Sequence, residues 1–189
     1  MNMDNGASSY RRFRENGDRN GLVEIIRDYK DGLILYLTSI VGDVHTAEDL
    51  AEDTFVLLGT RKPRDKGRGS FKTWLYTIGR NIALDYLRKQ SRKKEVNIDQ
   101  IGEITDDEIN LEKSFITKER DRAVHRAMKC LNNDYRQVLW LIYFEGFSNK
   151  ECAAVMDKSE HAIETLAYRA RIALKPLLEK EGIDERDLE

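Results

Sequence analysis

Apolar residues recur every three to four positions along most of the chain, and nowhere do they alternate as in a half-buried strand. The first 18 residues are polar and predict a frayed end. From Asn20 to about Ile40, Leu22, Ile25, Ile26, Tyr29, Leu33, Tyr36, Leu37 and Ile40 trace a helix that Gly42-Asp43 closes. Thr46-Ala47-Glu48-Asp49 reads as a capping box opening a second helix, which runs to Leu58 and ends at Gly59. A loop over 60–69, rich in Gly, Lys and Arg and holding Pro63, leads into a long helix from Ser70 to about Gln90. Residues 95–116 are acidic and weakly periodic, as expected of a linker. Periodicity resumes at Thr117, with helices over about 117–131 and 134–144. Ser148-Asn149-Lys150-Glu151 is a second capping box, for a short helix ending near Met156. After a turn at Asp157-Lys158, Ser159 can cap a last helix to about Leu178. The prediction is an all-α chain: two small helical domains, over 16–94 and 117–178, joined by an acidic linker over 95–116.

Charge changes this picture more than composition does. The formal net charge of −2 is unusual for a protein that grips duplex DNA unaided. The charge is segregated, however. Between Arg61 and Lys94 twelve basic residues face only Asp65 and Asp85, a run suited to neutralising a phosphate backbone. Cys130 and Cys152 lie in apolar-periodic stretches without ligand spacing and are expected to be small buried hydrophobes. The three histidines are scattered, so no metal and no cofactor is expected. No apolar run approaches the ~18 residues of a membrane span, and no signal-peptide core is present. The expectation is a cytoplasmic protein without membrane insertion.

Three faces carry candidate chemistry. On the Ser70–Gln90 helix, Leu75, Ile78, Ile82 and Tyr86 form the inward stripe, while Trp74, Thr77, Arg80, Asn81 and Arg88 are expected to project outward together. An aromatic ring beside amide, hydroxyl and guanidinium groups suits stacking on unpaired bases and reading them. Lys66, Arg68 and Lys72 extend this basic surface. Trp74 taken alone fits equally a ring tucked against a neighbouring helix. On the Thr46–Leu58 helix, Ala47, Leu50, Ala51, Thr54, Phe55 and Leu58 turn inward. Glu48, Asp49, Glu52 and Asp53 surround Val56 on the other side, a pattern that fits a surface for a basic protein partner or simply a solvated face. Near the C-terminus, the short helix, turn and longer helix have the layout of a helix-turn-helix. Its outer face holds His161, Glu164, Thr165, Tyr168, Arg171, Ile172 and Lys175. A plain helical hairpin has the same pattern.

The order of these pieces resembles one family. Asn16-Gly17-Asp18, Tyr29-Lys30-Asp31 and Ala47 to Phe55 come first, followed by Phe71-Lys72-Thr73-Trp74-Leu75, Arg80 to Arg88, and Tyr168-Arg169-Ala170-Arg171. Together they resemble the extracytoplasmic-function sigma factors of the sigma-70 family, across residues 16 to about 178. The resemblance implies a region 2-like bundle before the linker and a region 4-like helix-turn-helix after it. It implies core RNA polymerase and promoter DNA as partners, with an anti-sigma factor as a further candidate partner. Glu48, Asp49, Glu52, Asp53 and Val56 would dock on the clamp helices of the polymerase's largest catalytic subunit. The Lys62–Lys72 loop, with Lys66, Arg68 and Lys72, and the helix bearing Trp74, Thr77, Arg80, Asn81 and Arg88 would open the −10 element and capture a flipped base. The linker would thread toward the active centre. Lys158, Ser159, His161, Glu164, Thr165, Tyr168, Arg169 and Arg171 would meet the −35 element. The implied role is binding, not catalysis.

Some positions depart from the family pattern. Glu164 and Leu166 stand where basic residues are common, Ala167 where leucine is usual, and Asn132 where proline is. Glutamate can accept from cytosine's amino group but repels phosphate, so either the −35 contacts are unusual in sequence or they are weak. Two other readings fit less of the chain: a free-standing helix-turn-helix regulator, which lacks an obvious dimer helix, and a sigma-like protein that binds without initiating. An enzyme fits least, since Gly67-Arg68-Gly69 lacks the Lys-Ser/Thr of a phosphate-binding loop.

Overall fold

A computed structural model describes residues 5–65, 69–96 and 119–183. These form helices α1 (Asn5–Asn16), α2 (Arg19–Val41), α3 (Val44–Arg61), α4 (Phe71–Val96), α5 (Glu119–Lys129), α6 (Asn133–Leu139), α7 (Asn149–Met156) and α8 (Glu160–Lys180). Between α6 and α7, Trp140–Phe144 is wound as a π-helix. Among the described residues there is no strand, and no described helix is long and apolar enough to cross a membrane. The linker expected over 95–116 lies almost wholly outside the described residues.

Local chemistry explains most helix ends. Asp18 caps α2 by accepting from the Asn20 N–H, and Gly42 ends it at φ 85°, a conformation that suits a residue without a Cβ. The start expected at Thr46 is corrected: α3 begins at Val44. Asp43 takes the cap by accepting from the N–H groups of His45 and Thr46, and it also binds the Thr46 hydroxyl. Nor does Gly59 end α3. The helix runs on to Arg61, with the Leu22 side chain close against Gly59, so glycine there serves packing against α2. The Ser148/Glu151 capping box and the Ser159 cap stand where the sequence places them.

Two further expectations are corrected. The N-terminal stretch is helix α1, which buries Tyr10 and Phe13 against the rest of the core. Cys130 is exposed, donating weakly to the Arg126 carbonyl at 3.6 Å, because it falls just beyond the last turn of α5. Cys152 is buried as expected, and burial pushes its thiol up to about 12.

One continuous apolar cluster runs from Tyr10 in α1 to Ala170 in α8, so the two halves of the chain are docked on each other. A smaller cluster of Ala123, Ala127, Leu178 and Ile183 fastens α5 to the end of α8. The joint between the halves is where α2 and α4 meet α6, the π-helical turn and α7.

Candidate nucleic-acid interface

Helix α4 is buried on more sides than the sequence suggests, and this redistributes its candidate residues. Phe71, Leu75, Tyr76 and Ala83 are buried, whereas Ile78, Ile82 and Tyr86 are only partly so. Asn81 and Arg88 do project to solvent, the Arg88 guanidinium lying 2.6 Å from Asp85. Thr77 is partly exposed and donates to the Thr73 carbonyl at 2.8 Å. The expected common outward face is otherwise corrected. Trp74 is tucked against α1, its ring centroid 5.2 Å from that of Tyr10 and 5.6 Å from that of Phe71. Arg80, only 8% exposed, turns into the joint between the two halves. Lys66 and Arg68 lie outside the described residues.

The joint is polar at its centre. Gln137 of α6 accepts through Oε1 from Arg80 Nε at 2.9 Å and from the Tyr36 hydroxyl at 3.4 Å, and its amide donates to Asn133. Asn133 in turn donates to the Ile40 carbonyl. Glu145, at the end of the π-helical turn, receives the Tyr76 hydroxyl at 2.7 Å, Lys72 Nζ at 2.9 Å and the Trp140 indole N–H at 3.4 Å. Lys72 also donates to the Glu145 carbonyl and stands 5.0 Å over the Phe147 ring. A Cβ on Gly32 would lie 2.6 Å from the Tyr76 hydroxyl and 3.3 Å from the Glu145 carboxylate, so glycine makes room for this pair on α2. No pattern rule points to Gln137 or Glu145. Both are polar residues beside apolar ones and read as surface until the second half of the fold is laid on them.

Glu151 closes the joint on its other side. Besides capping α7, its carboxylate accepts from the hydroxyls of Ser70 and Thr73 at 3.2 Å each. Burial alone would raise its pKa, but the Ser148 backbone and hydroxyl and the Ser70 and Thr73 hydroxyls together hold it below the ordinary 4.5. A carboxyl held low stabilises the fold above its unfolded value and loses that contribution as pH falls through the folded one. Acidification from roughly pH 5 to pH 3 is therefore expected to lower the melting temperature more in the native chain than in Glu151→Gln, measured by circular dichroism.

Helix α3 presents the acidic face cleanly. Ala47, Leu50, Ala51, Thr54, Phe55 and Leu58 are buried, while Asp49, Glu52 and Asp53 are exposed around Val56, itself 53% exposed. Glu48 is partly buried, with its carboxylate 3.6 Å from His45 Nδ1. In the C-terminal half, α7, the left-handed turn residue Asp157 (φ 53°) and α8 form the helix-turn-helix. His161, Glu164, Tyr168, Arg169 and Arg171 lie exposed along α8, with Thr165 partly exposed, and Lys158 and Ser159 sit exposed at its start. Glu164 lies 3.8 Å from His161 Nδ1. Tyr168 and Ile172, 59% and 56% exposed, are large side chains left mostly open to solvent. A groove of about 710 Å³ runs between the start of α6 and α8, lined by Asn132, Tyr135, Lys158, Thr165 and Arg169 among others. Lys158 bridges to Asp134 beside it.

This arrangement defines a two-part helical protein with a helix-turn-helix at one end and an acidic helix and a basic helix at the other. Residues 25–93 match the sigma-70 region 2 family model, and residues 121–174 match the sigma-70 region 4 model. The chain belongs to the sigma-70 family, in its extracytoplasmic-function group. It is 31% identical over 163 residues to the ECF RNA polymerase sigma factor BldN of Streptomyces coelicolor, a match covering 86% of this chain and 62% of BldN. It is 28% identical over 162 residues to the ECF RNA polymerase sigma factor SigM of Bacillus subtilis, covering 86% of this chain and 98% of SigM. Among solved structures, the fold is similar to the sigma factor RpoE in its complex with the anti-sigma factor NepR from Bartonella quintana. That likeness has a TM-score of 0.65 and 23% identity, over 82% of this chain and 95% of the other.

Proposed function

We propose that this chain binds core RNA polymerase, directs it to a set of promoters and opens the −10 element. The region 2-like part would span 16–94, the acidic linker 95–116 and the region 4-like part 117–178. The observation that carries this reading is that one chain matches regions 2 and 4 in order while its acidic α3 face and its α8 outer face are both exposed. The chain acts by binding, in the cytoplasm, and the polymerase core performs the phosphoryl transfer. Family membership adds an anti-sigma factor as an expected partner. Asp49, Glu52, Asp53 and Val56 meet the core, joined by Glu48. Lys66, Arg68 and Lys72 with Trp74, Thr77, Arg80, Asn81 and Arg88 act at the −10 element. Lys158, Ser159, His161, Glu164, Thr165, Tyr168, Arg169 and Arg171 act at the −35 element.

Geometry demands a rearrangement on the promoter. The two elements are named for positions about 25 base pairs apart, roughly 85 Å along a duplex rising ~3.4 Å per pair. Halves docked as one compact body of this length, with a radius of gyration of roughly 16 Å, fall short of that distance. The 22 residues 97–118, at no more than ~3.6 Å each, allow a span of at most roughly 80 Å, enough when added to the domains themselves. Separation also frees Lys72 and Arg80 from Glu145 and Gln137, which makes the joint incompatible with full −10 engagement.

The test is assembly on core polymerase followed by transcription from a promoter library. Core-dependent initiation at one family of −10 and −35 sequences is expected, and duplex binding without core would point instead to an autonomous regulator. Asn81→Ala is expected to leave core binding intact and lower open-complex formation about tenfold, the size of one lost polar base contact of ~1–3 kcal/mol. Permanganate reactivity of the −10 thymines checks this, and undiminished reactivity would remove Asn81 from the melting surface.

A further inference from the structure

We infer that Glu164 reads a cytosine and Ile172 a thymine in the −35 element, so that this chain selects a C·G pair through an acceptor where an arginine would select guanine through donors. The inference rests on the −35 reading of α8 and names the base edges that it engages.

Helix α8 is fixed in rotation by its inner side. Ile163, Ala167 and Ala170 are buried against the core. Ser159 holds the first turn by accepting from the Ala162 N–H at 3.2 Å. At ~100° per residue, the exposed side then spans an arc of roughly 160°, from Arg171 through Glu164, Tyr168 and Ile172 to Arg169. Glu160 falls outside that arc. In helix-turn-helix proteins the second helix lies in the major groove with its N-terminal residues against base edges. Glu164, in the second turn, then faces the base pairs, while the two arginines at the edges of the arc face the phosphates on either side.

The Glu164 carboxylate is available to a base. Its side chain is 56% exposed, and the histidine it faces, His161, stands with Nδ1 at 3.8 Å, beyond hydrogen-bond distance. An ionised carboxylate has no hydrogen to give and can only accept. In the major groove guanine offers two acceptors, adenine a donor beside an acceptor, and thymine an acceptor and a methyl group. Cytosine offers its amino donor with no acceptor beside it. Glu164 therefore favours cytosine and would set oxygen against oxygen at guanine. Ile172 has no polar side-chain atom, and the thymine methyl is the apolar group that a base edge presents in this groove. It lies two turns beyond Glu164, ~12 Å along the helix, so it meets a different base pair. Arg169 and Arg171 supply an attraction to phosphate that is blind to sequence. That attraction offsets the repulsion between Glu164 and the backbone, so the −35 contact is altered in sequence rather than lost.

The experiment uses holoenzyme assembled on core polymerase and a promoter pool with a fixed −10 element and a randomised −35 element, sequenced after recovery with the holoenzyme. Native holoenzyme should enrich one C·G pair about tenfold over the other pairs at its position. Glu164→Gln adds an amide donor that suits adenine's N6 and N7. It should replace that pair by A·T, with adenine on the strand that held cytosine. Glu164→Ala should abolish the preference at that position and leave the others. Deoxyuridine in place of the selected thymine removes only the methyl group. It should weaken native binding about fourfold and leave binding by Ile172→Ala unchanged. These substitutions lie on the exposed side of α8, so the melting temperature should not move. A C·G preference that persists in Glu164→Ala would overturn the inference while leaving the −35 reading standing, and deoxyuridine accepted as well as thymine would remove Ile172 from the readout. A native holoenzyme with no preference at any −35 position would overturn both the inference and the −35 reading.

Discussion

Glu145→Ala is expected to shift the chain from the docked to the separated arrangement of its halves by about one to two orders of magnitude. The Glu145 side chain is 9% exposed and accepts from Lys72, Tyr76 and Trp140. Truncation takes away the carboxylate that accepts from the buried Tyr76 hydroxyl, which costs ~1–3 kcal/mol. It also releases an ammonium that had a carboxylate at 2.9 Å. At ~1.4 kcal/mol per tenfold, this loss moves a two-state docking equilibrium by a factor of roughly 5 to 150. Because the substitution sits at the joint, helix content should change little. Small-angle X-ray scattering should show a larger radius of gyration, and free Glu145→Ala chain should bind single-stranded −10 DNA more tightly than the native chain, since Lys72 and Arg80 become available together. An unchanged radius of gyration with unchanged DNA binding would mean that the joint does not restrain those residues.

What the sequence makes legible and what it hides follow from the same physics. Helices α2, α3 and α8 bury one stripe each, so periodicity locates them; Ser159 marks the start of α8, whereas Asp43, the cap of α3, reads in the sequence as the close of the helix before it. The acidic face of α3 is equally legible, because an exposed face retains the polar pattern that predicts it. Helix α1 is hidden because only Ala7, Tyr10 and Phe13 of its twelve residues are apolar, too few to stand out as a stripe, and part of the Tyr10 burial comes from Phe71 and Trp74 of α4, some sixty residues away in the chain. Arg80 and Lys72 read as part of a basic DNA-facing run, and their charge says nothing of a carboxylate or amide delivered by a distant helix. Trp74 is the instructive intermediate. Its ring fitted base stacking or a neighbouring helix equally well, and the neighbour proves to be the helix that the pattern did not reveal. Polar joints between two amphipathic bundles escape pattern rules because each partner, taken alone, is a surface residue.

Reversing two charges on α3, Asp49→Lys together with Glu52→Lys, is expected to weaken binding to core polymerase at least tenfold. Both carboxylates are exposed one turn apart on the face that surrounds Val56, while the opposite side of the helix is fully committed to the core. Exposed substitutions away from packing change stability by only about ±0.5 kcal/mol, so the fold should survive and the loss should be specific to the partner. Against a basic docking surface, each reversal replaces an attraction with a repulsion. Such like-charge juxtapositions cost several kcal/mol when water is excluded and act largely on the association rate when it is not. The defect should therefore shrink as salt rises, since exposed charges are screened beyond ~10 Å at 0.1 M. Val56→Ala supplies the complementary case, because its loss would be apolar and should not respond to salt. If the doubly reversed chain co-purifies with core polymerase as the native one does, α3 is a solvated acidic face and docking lies elsewhere. If affinity falls but salt does not restore it, the carboxylates act through direct, desolvated hydrogen bonds rather than through the field they set up.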